Sequence, residues 1–409
     1  MKQEYINHLH VENVGPFNKL DVDFSPDVNV IVGSNGTGKT SILRCITHCF
    51  TNENREYFRY RVGARLATYF MRGEDQCRCS LIPYDLKEDQ LFHERLSILS
   101  EREADEDGVV SYTWQNYPYN ILAIGAHRYF DYVKIESIRP KESVNDQKRN
   151  YAQNNPLFID KPLISDIKQW IVNRYFIIDK PWAKDLTSNW EKLLEKIPIM
   201  SSPNHVLSYA RTEDDLNPIF ELDGNECYLE ELSSGFKSVL SVVISIISWI
   251  EGVNIGEQRK MENATGTVLI DEIEAHLHPA WQKKILSVVT EMFPKIQFIV
   301  TTHSPYIIAS AEKNQIIMIP ALSDEMHLQP IEKDFSAWRV EYILKELMGT
   351  EEIGSQKLKD LLVKLDGYLQ DKNKDEFYHG INDLKELVHA NDSILTNYEM
   401  RGEEIFSEE

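Results

Sequence analysis

The eight residues Gly33-Ser34-Asn35-Gly36-Thr37-Gly38-Lys39-Thr40 constrain this chain more than any other stretch. They match the pattern G-x-x-x-x-G-K-[ST]. An apolar run at 28–32 precedes them, and a segment of helical period follows, with Ile42, Cys45, Ile46, Cys49 and Phe50 on one face. A loop of this kind belongs to a strand–loop–helix unit of a parallel α/β sheet. Its glycines let backbone N–H groups turn inward around phosphate oxygens, and the helix N-terminus adds its partial positive charge. Lys39 is expected to bring a point charge to the β- and γ-phosphates, and the Thr40 hydroxyl can ligate Mg²⁺. With Ser41, these residues form the expected nucleotide cradle.

A second constraint is Val268-Leu269-Ile270-Asp271-Glu272. An acidic residue at the carboxyl end of a buried parallel strand lies at the crevice where such sheets bind ligands. Asp271 is expected to hold Mg²⁺, directly or through water, and Glu272 to polarise the attacking water. About thirty-five residues earlier, Leu232-Ser233-Ser234-Gly235-Phe236 opens a helix that runs through Val239, Leu240, Val243, Ile246, Ile247 and Ile250. A Ser hydroxyl, a Gly amide and a helix N-terminus together make a second phosphate site aimed outward. The plainer alternative is a Ser N-cap followed by a flexible Gly.

Two further stretches carry polar chemistry. Thr301-Thr302-His303-Ser304-Pro305 follows an apolar run at 297–301, and Glu274-Ala275-His276-Leu277-His278-Pro279 precedes a helix. His276 and His278 are two apart, so on a helix they could not share a face around one metal; an interface or structural role is expected for both. Gly125-Ala126-His127-Arg128 follows the apolar run 121–124. Arg128 reads either as a group approaching nucleotide or a dimer interface, or as a surface arginine at a strand end.

Composition narrows the function classes. A net charge of −21 disfavours non-specific coating of DNA, which needs clustered Lys and Arg. Local basic stretches remain at Arg55, Arg59, Arg61, Arg65 and Arg72 and at Lys148 and Arg149, with ordinary solvated charge as the alternative. Five scattered cysteines fit a reduced, cytoplasmic protein better than a disulfide framework, and Cys77 and Cys79 lack a second pair in zinc spacing. No apolar run is expected to reach the ~20 residues that span a bilayer. Three short strands are expected within 5–33, short strands over 64–125, a polar loop at 136–156, and helices at 164–175 and 185–197. A hairpin is expected about Asp223-Gly224-Asn225. From residue 338 onward the apolar spacing is helical throughout.

In this order the motifs resemble those of ABC-type ATPases of the SMC-head kind, in the branch that includes RecF and OLD-family proteins. The match covers roughly residues 1–50 and 230–320. The compact insert and short helical tail look most like the stand-alone PtuA-type ATPases of bacterial anti-phage systems, Septu and certain retrons among them. The resemblance implies an α/β ATPase head with a mixed sheet, an antiparallel β subdomain, a helical insert and a C-terminal helical tail. The head is expected over 1–335, with the β subdomain at about 60–125 and the insert at about 157–200. Residues 336–409 are expected to form a helical partner-docking region.

The resemblance also implies ATP and Mg²⁺ as ligands, and hydrolysis by Glu272 with His303 reaching the γ-phosphate. It implies a dimer in which Lys39 of one chain faces Ser233, Ser234 and Gly235 of another, with 274–279 as the loop that crosses the interface. Ser234 stands where many members have Gly. Gln76 is the candidate for the Mg²⁺-sensing glutamine of the family. No nuclease, protease or deaminase constellation is visible in the sequence, so toxic chemistry is expected in a separate effector such as an HNH nuclease. A DNA-maintenance ATPase that binds nucleic acid directly is the alternative; a membrane-transporter subunit fits the long, irregular middle region poorly.

Overall fold

The structure is a computed structural model of the 409-residue chain, and it describes residues 4–50, 59–81, 110–112, 120–129, 134–137, 163–164, 167–201, 205–348, 356–389 and 392–406. The expected polar loop at 136–156 lies almost wholly outside the described residues. The strands are β1 (Glu4–Val14), β2 (Phe17–Asp23), β3 (Val28–Val32), β4 (Tyr60–Arg72), β5 (Asp75–Leu81), β6 (Val110–Tyr112), β7 (Ile121–Ile124) and β8 (Arg128–Tyr129). They continue with β9 (Leu163–Ile164), β10 (Leu207–Thr212), β11 (Pro218–Leu222), β12 (Asn225–Tyr228), β13 (Gly266–Ile270), β14 (Ile296–Thr301), β15 (Ile316–Met318) and β16 (Glu325–Leu328). The helices are α1 (Lys39–Cys49), α2 (Ile167–Ile177), α3 (Lys184–Lys196), α4 (Ser234–Val253), α5 (Pro279–Gln282) and α6 (Ile285–Met292). After them come α7 (Pro305–Ser310), α8 (Val340–Met348), α9 (Gln356–Gln370), α10 (Lys374–Leu387) and α11 (Ser393–Phe406).

A parallel sheet in the order β15-β3-β14-β13-β7 forms the wall on which the site is built. Its strands are apolar at nearly every position because both faces are covered. Val30, Val268, Ile270, Phe298 and Val300 face a core shared with α4, α6 and the helices α2 and α3. Ile31, Leu269 and Ile299 face the other way, into a core shared with α1 and the outer sheet. That outer sheet is mixed, in the order β16-β2-β1-β4-β5-β6. Its β1–β2, β1–β4 and β4–β5 pairs are antiparallel, whereas β16 runs parallel to β2 and β6 parallel to β5. The hairpin about Asp223-Gly224 extends into a three-stranded sheet with β10.

The structure corrects several expectations. The strands of 60–125 do not form one group: β4 to β6 join the outer sheet, while β7 pairs with β13 in the parallel one. The helix expected from Pro279 is broken into α5 and α6. The 20-residue α4 has the length and apolar composition of a membrane span, against the expectation of no such run. Most of it is buried inside the core. The chain divides into compact units between Gly349 and Thr350, not at 335/336. Helix α8 stays with the first unit because Ile343 and Leu347 are part of that unit's core. The second unit packs α9, α10 and α11 around Leu365, Phe377, Leu384 and Phe406.

Candidate nucleotide site

The phosphate loop leaves the end of β3 and runs into α1. Gly36 and Gly38 have φ of +80° and +97°, conformations in which a side chain is strained. A Cβ at Gly38 would also come within 2.7 Å of the Phe17 ring, and one at Gly33 within 2.9 Å of the Ile319 carbonyl oxygen. Packing from the outer sheet and from β15 therefore presses on both ends of the loop. Ser34, Asn35 and Gly36 are exposed at its crest. The Thr37 hydroxyl donates to Ser34 O (2.9 Å), and Ser34 Oγ donates to Met348 O at the end of α8 (3.0 Å). Lys39 is buried and donates from Nζ to Gly33 O and Ser34 O, 2.8 Å each. Burial lowers its pKa, and the carboxylates of Asp271, Glu272 and Glu274 partly oppose the shift.

Parallel register carries the acidic pair to the same edge, since β13 and β14 end level, Ile270 beside Val300. The Thr40 hydroxyl lies 3.0 Å from both Asp271 carboxylate oxygens, and the Thr301 hydroxyl donates to Asp271 Oδ1 at 2.6 Å. Thr301 Oγ1 in turn accepts from the Glu272 backbone N–H at 2.8 Å. Burial raises the Asp271 pKa; the two threonine hydroxyls pull it back, and Glu272 adds to the rise. Glu272 has φ of +45°, a left-handed conformation uncommon for a residue with a side chain. Such backbone strain clusters at functional sites and persists where the surroundings over-determine it.

Glu274 was not singled out by the sequence, yet it holds the next piece in place. Its carboxylate accepts the Thr302 hydroxyl (2.7 Å) and the His303 backbone N–H (2.5 Å). Burial raises the Glu274 pKa against the pull of these donors. The His303 pKa lies below its usual 6.5, first through burial and then through the Lys39 charge, with Glu272 opposing. Lys39, Thr40, Asp271, Glu272 and His303 are thus brought to one edge of the parallel sheet.

The Ser233-Ser234-Gly235 stretch opens α4, with Ser233 and Ser234 exposed. Ser233 Oγ accepts from Phe236 N at 3.2 Å, so the N-cap alternative describes its own bond here. Gly235 is needed for close approach: a Cβ there would meet His276 O at 3.2 Å. His278 caps α5, its Nδ1 accepting from Ala280 N (3.3 Å), and His276 has φ of +66°. Among the described residues no three His, Cys, Asp or Glu side chains converge as a metal centre. Thr40 and Asp271 do offer hard oxygen donors of the kind Mg²⁺ takes when phosphates and waters complete its shell.

Two candidates from the sequence fall elsewhere. Gln76 is exposed beside the β4–β5 turn, opposite Met71, which pairs with Tyr5 at the start of β1. The phosphate loop lies by the β1–β2 turn, where Phe17 meets Gly38. Nine residues of strand, about 30 Å, separate the two ends of β1, so Gln76 is not the Mg²⁺-sensing glutamine. Arg128 is neither a surface group nor shown to touch nucleotide: it is buried under the Asp271-Glu272 segment.

Comparisons with known proteins show which family the chain resembles. The RecF/RecN/SMC N terminal domain family matches residues 5–323. A Septu protein PtuA of Bacillus thuringiensis is 27% identical over 405 residues, 95% of each chain. The Retron Vc95 probable ATPase of Vibrio cholerae serotype O1 biovar El Tor is 24% identical over 384 residues, 78% of this chain and 74% of that one. Among solved structures, the Smc head domain with an extended coiled coil from Pyrococcus furiosus, bound to the C-terminal domain of ScpA, superposes with a TM-score of 0.39. It is 18% identical and covers 80% of this chain and 96% of its own.

Proposed function

The chain belongs to the RecF/RecN/SMC N-terminal domain family, and from that premise we propose that it is an ATP hydrolase that gates an anti-phage defence complex through ATP-dependent dimer closure. The observation that carries the reading is the meeting of Lys39, Thr40, Asp271, Glu272 and His303 at one edge of the parallel sheet, with Ser233 and Ser234 exposed at the head of α4. In this reading the loop amides and Lys39 hold the triphosphate. Thr40 and Asp271 would hold Mg²⁺, which would neutralise charge on the phosphates. Glu272 makes no side-chain hydrogen bond among the described residues, which leaves its carboxylate available to orient a water as general base. The neutral His303 ring donates its N–H toward the γ-phosphate without adding charge.

The exposed head of α4 supplies the second half of the site to a partner copy. Kinship with a Septu protein PtuA and a retron ATPase supports the defence role, and a cytoplasmic location is part of the same reading. The helical tail after Gly349 is the docking element for a separate effector, an HNH-type nuclease being the class that fits. Direct DNA binding is less well supported, because the net charge is −21 and Arg61 of β4 is held by Asn18 and Phe17 O. Glu272→Gln tests the proposal. ATP binding should persist, turnover should fall at least 100-fold, and a dimer should accumulate in ATP on sedimentation. Unchanged turnover would overturn the assignment of Glu272.

A further inference from the structure

Arg128 is 4% exposed and sits at the start of β8, under the turn that carries the acidic pair. Its Nη2 donates to the carbonyl oxygens of Asp271 and Glu272, 3.1 Å each. Its Nη1 lies 3.3 Å from Ala275 O, 3.3 Å from Ser238 Oγ and 3.4 Å from Ile273 O. One guanidinium therefore gathers four carbonyls from the stretch 271–275, together with a hydroxyl from α4. Ser238 also donates directly to Ala275 O at 3.1 Å, and it stands one helical turn after Ser234.

The backbone gathered in this way is not one that forms unaided. Glu272 and His276 both have positive φ, and the carbonyls between them point toward a common centre. A planar cation with five donors in a fixed fork satisfies such a set, whereas an ammonium with three donors on a flexible stem does not. Burial pushes the Arg128 pKa down to about 10, with Glu274, Asp271 and Glu272 opposing, so the group stays charged at neutral pH.

We propose that Arg128 is a positioning residue that fixes the turn aiming Glu272 and ties that turn to Ser238, one turn into α4. Its second consequence rests on the dimeric reading above: the half-site at the head of α4, which serves the partner's nucleotide, moves together with the catalytic turn of its own chain. Hydrolysis at one site is then mechanically linked to closure at the other.

The test uses Arg128→Lys and Ser238→Ala in the full chain. Misplacing a catalytic group by about 1 Å costs on the order of 100-fold. Arg128→Lys should therefore lower kcat about 10- to 100-fold while KM and the Kd for ATP stay within about threefold. Ser238→Ala should lower kcat less, again with KM unchanged. In the Glu272→Gln background, Arg128→Lys should still form the ATP-dependent dimer. An unchanged kcat would overturn the proposal, and so would a loss of ATP affinity exceeding the loss of kcat, which would make Arg128 a nucleotide ligand. If Arg128→Lys does not fold, Ser238→Ala decides: a lower kcat at constant KM supports the proposal and an unchanged kcat sinks it. A Glu272→Gln protein that never dimerises defeats the dimeric reading, while the kcat–KM split still reports on Arg128.

Discussion

At the scale of single residues, the chemistry-bearing side chains were largely legible and their supports were not. The phosphate loop and the Asp271-Glu272 pair are contiguous motifs whose order in sequence is their order in space. Glu274, Thr301 and Arg128 do their work through backbone groups and through partners about 30 to 145 residues away, which no local pattern encodes. The signal for Glu274 was its place between two motifs already recognised. Gly38 offers a sharp test: φ of +97° and the Phe17 ring 2.7 Å from any Cβ make Gly38→Ala strained in two ways. It should lose about 1–3 kcal/mol in urea unfolding, and ATP binding with it. His303 gives a pH test. Its native pKa is depressed by burial and by Lys39, so the folded state binds fewer protons than the unfolded chain. The resulting stability is present above about pH 6.5 and is lost as pH falls toward the lower native value. Unfolding at pH 7 and pH 5.5 should therefore show a smaller acid loss in His303→Asn than in the parent; an equal loss would refute the cause assigned.

At the scale of elements, prolines and caps set boundaries that could be read directly. Pro305 follows Ser304, whose Oγ accepts from Tyr306 N (3.1 Å) and Ile307 N (3.3 Å) and so starts α7 as the sequence suggests. Among the strands that escaped notice, β15 and β16 are short and pair with strands near the other end of the chain. In β16, Glu325 registers with Lys19 across some three hundred residues. In α4 the observed cap and the proposed phosphate contact fall on the same residue. Ser233 Oγ is bonded to Phe236 N, while Ser234, next in line, is exposed. Ser233→Ala should therefore lower stability by about 1 kcal/mol, and Ser234→Ala should stay within about 0.5 kcal/mol, as read from denaturant midpoints. Equal effects would mean that the cap contributes nothing.

At the scale of the whole molecule, the alternation of strand and helix announced the parallel sheet, and the resemblance supplied the antiparallel β subdomain; what neither gave is how the second sheet is assembled. Its strands come from both ends of the first unit, β1 and β2 near the start and β16 near the close. The tail was read as helical, and it is. Its boundary was missed because α8 has the same helical spacing as α9, and only burial of Ile343 and Leu347 assigns it to the head. On the proposed mechanism a working site needs two chains: the Lys39 loop from one and the Ser233–Gly235 helix from the other. Mixing two inactive proteins, Lys39→Ala and Ser233→Arg, measures this most directly. A mixed dimer keeps one site in which both halves are intact. Equal mixing should restore ATP hydrolysis to roughly a quarter of the parent rate, because half the dimers are mixed and each carries one good site. Hydrolysis that stays at the level of the separate variants would contradict the composite site.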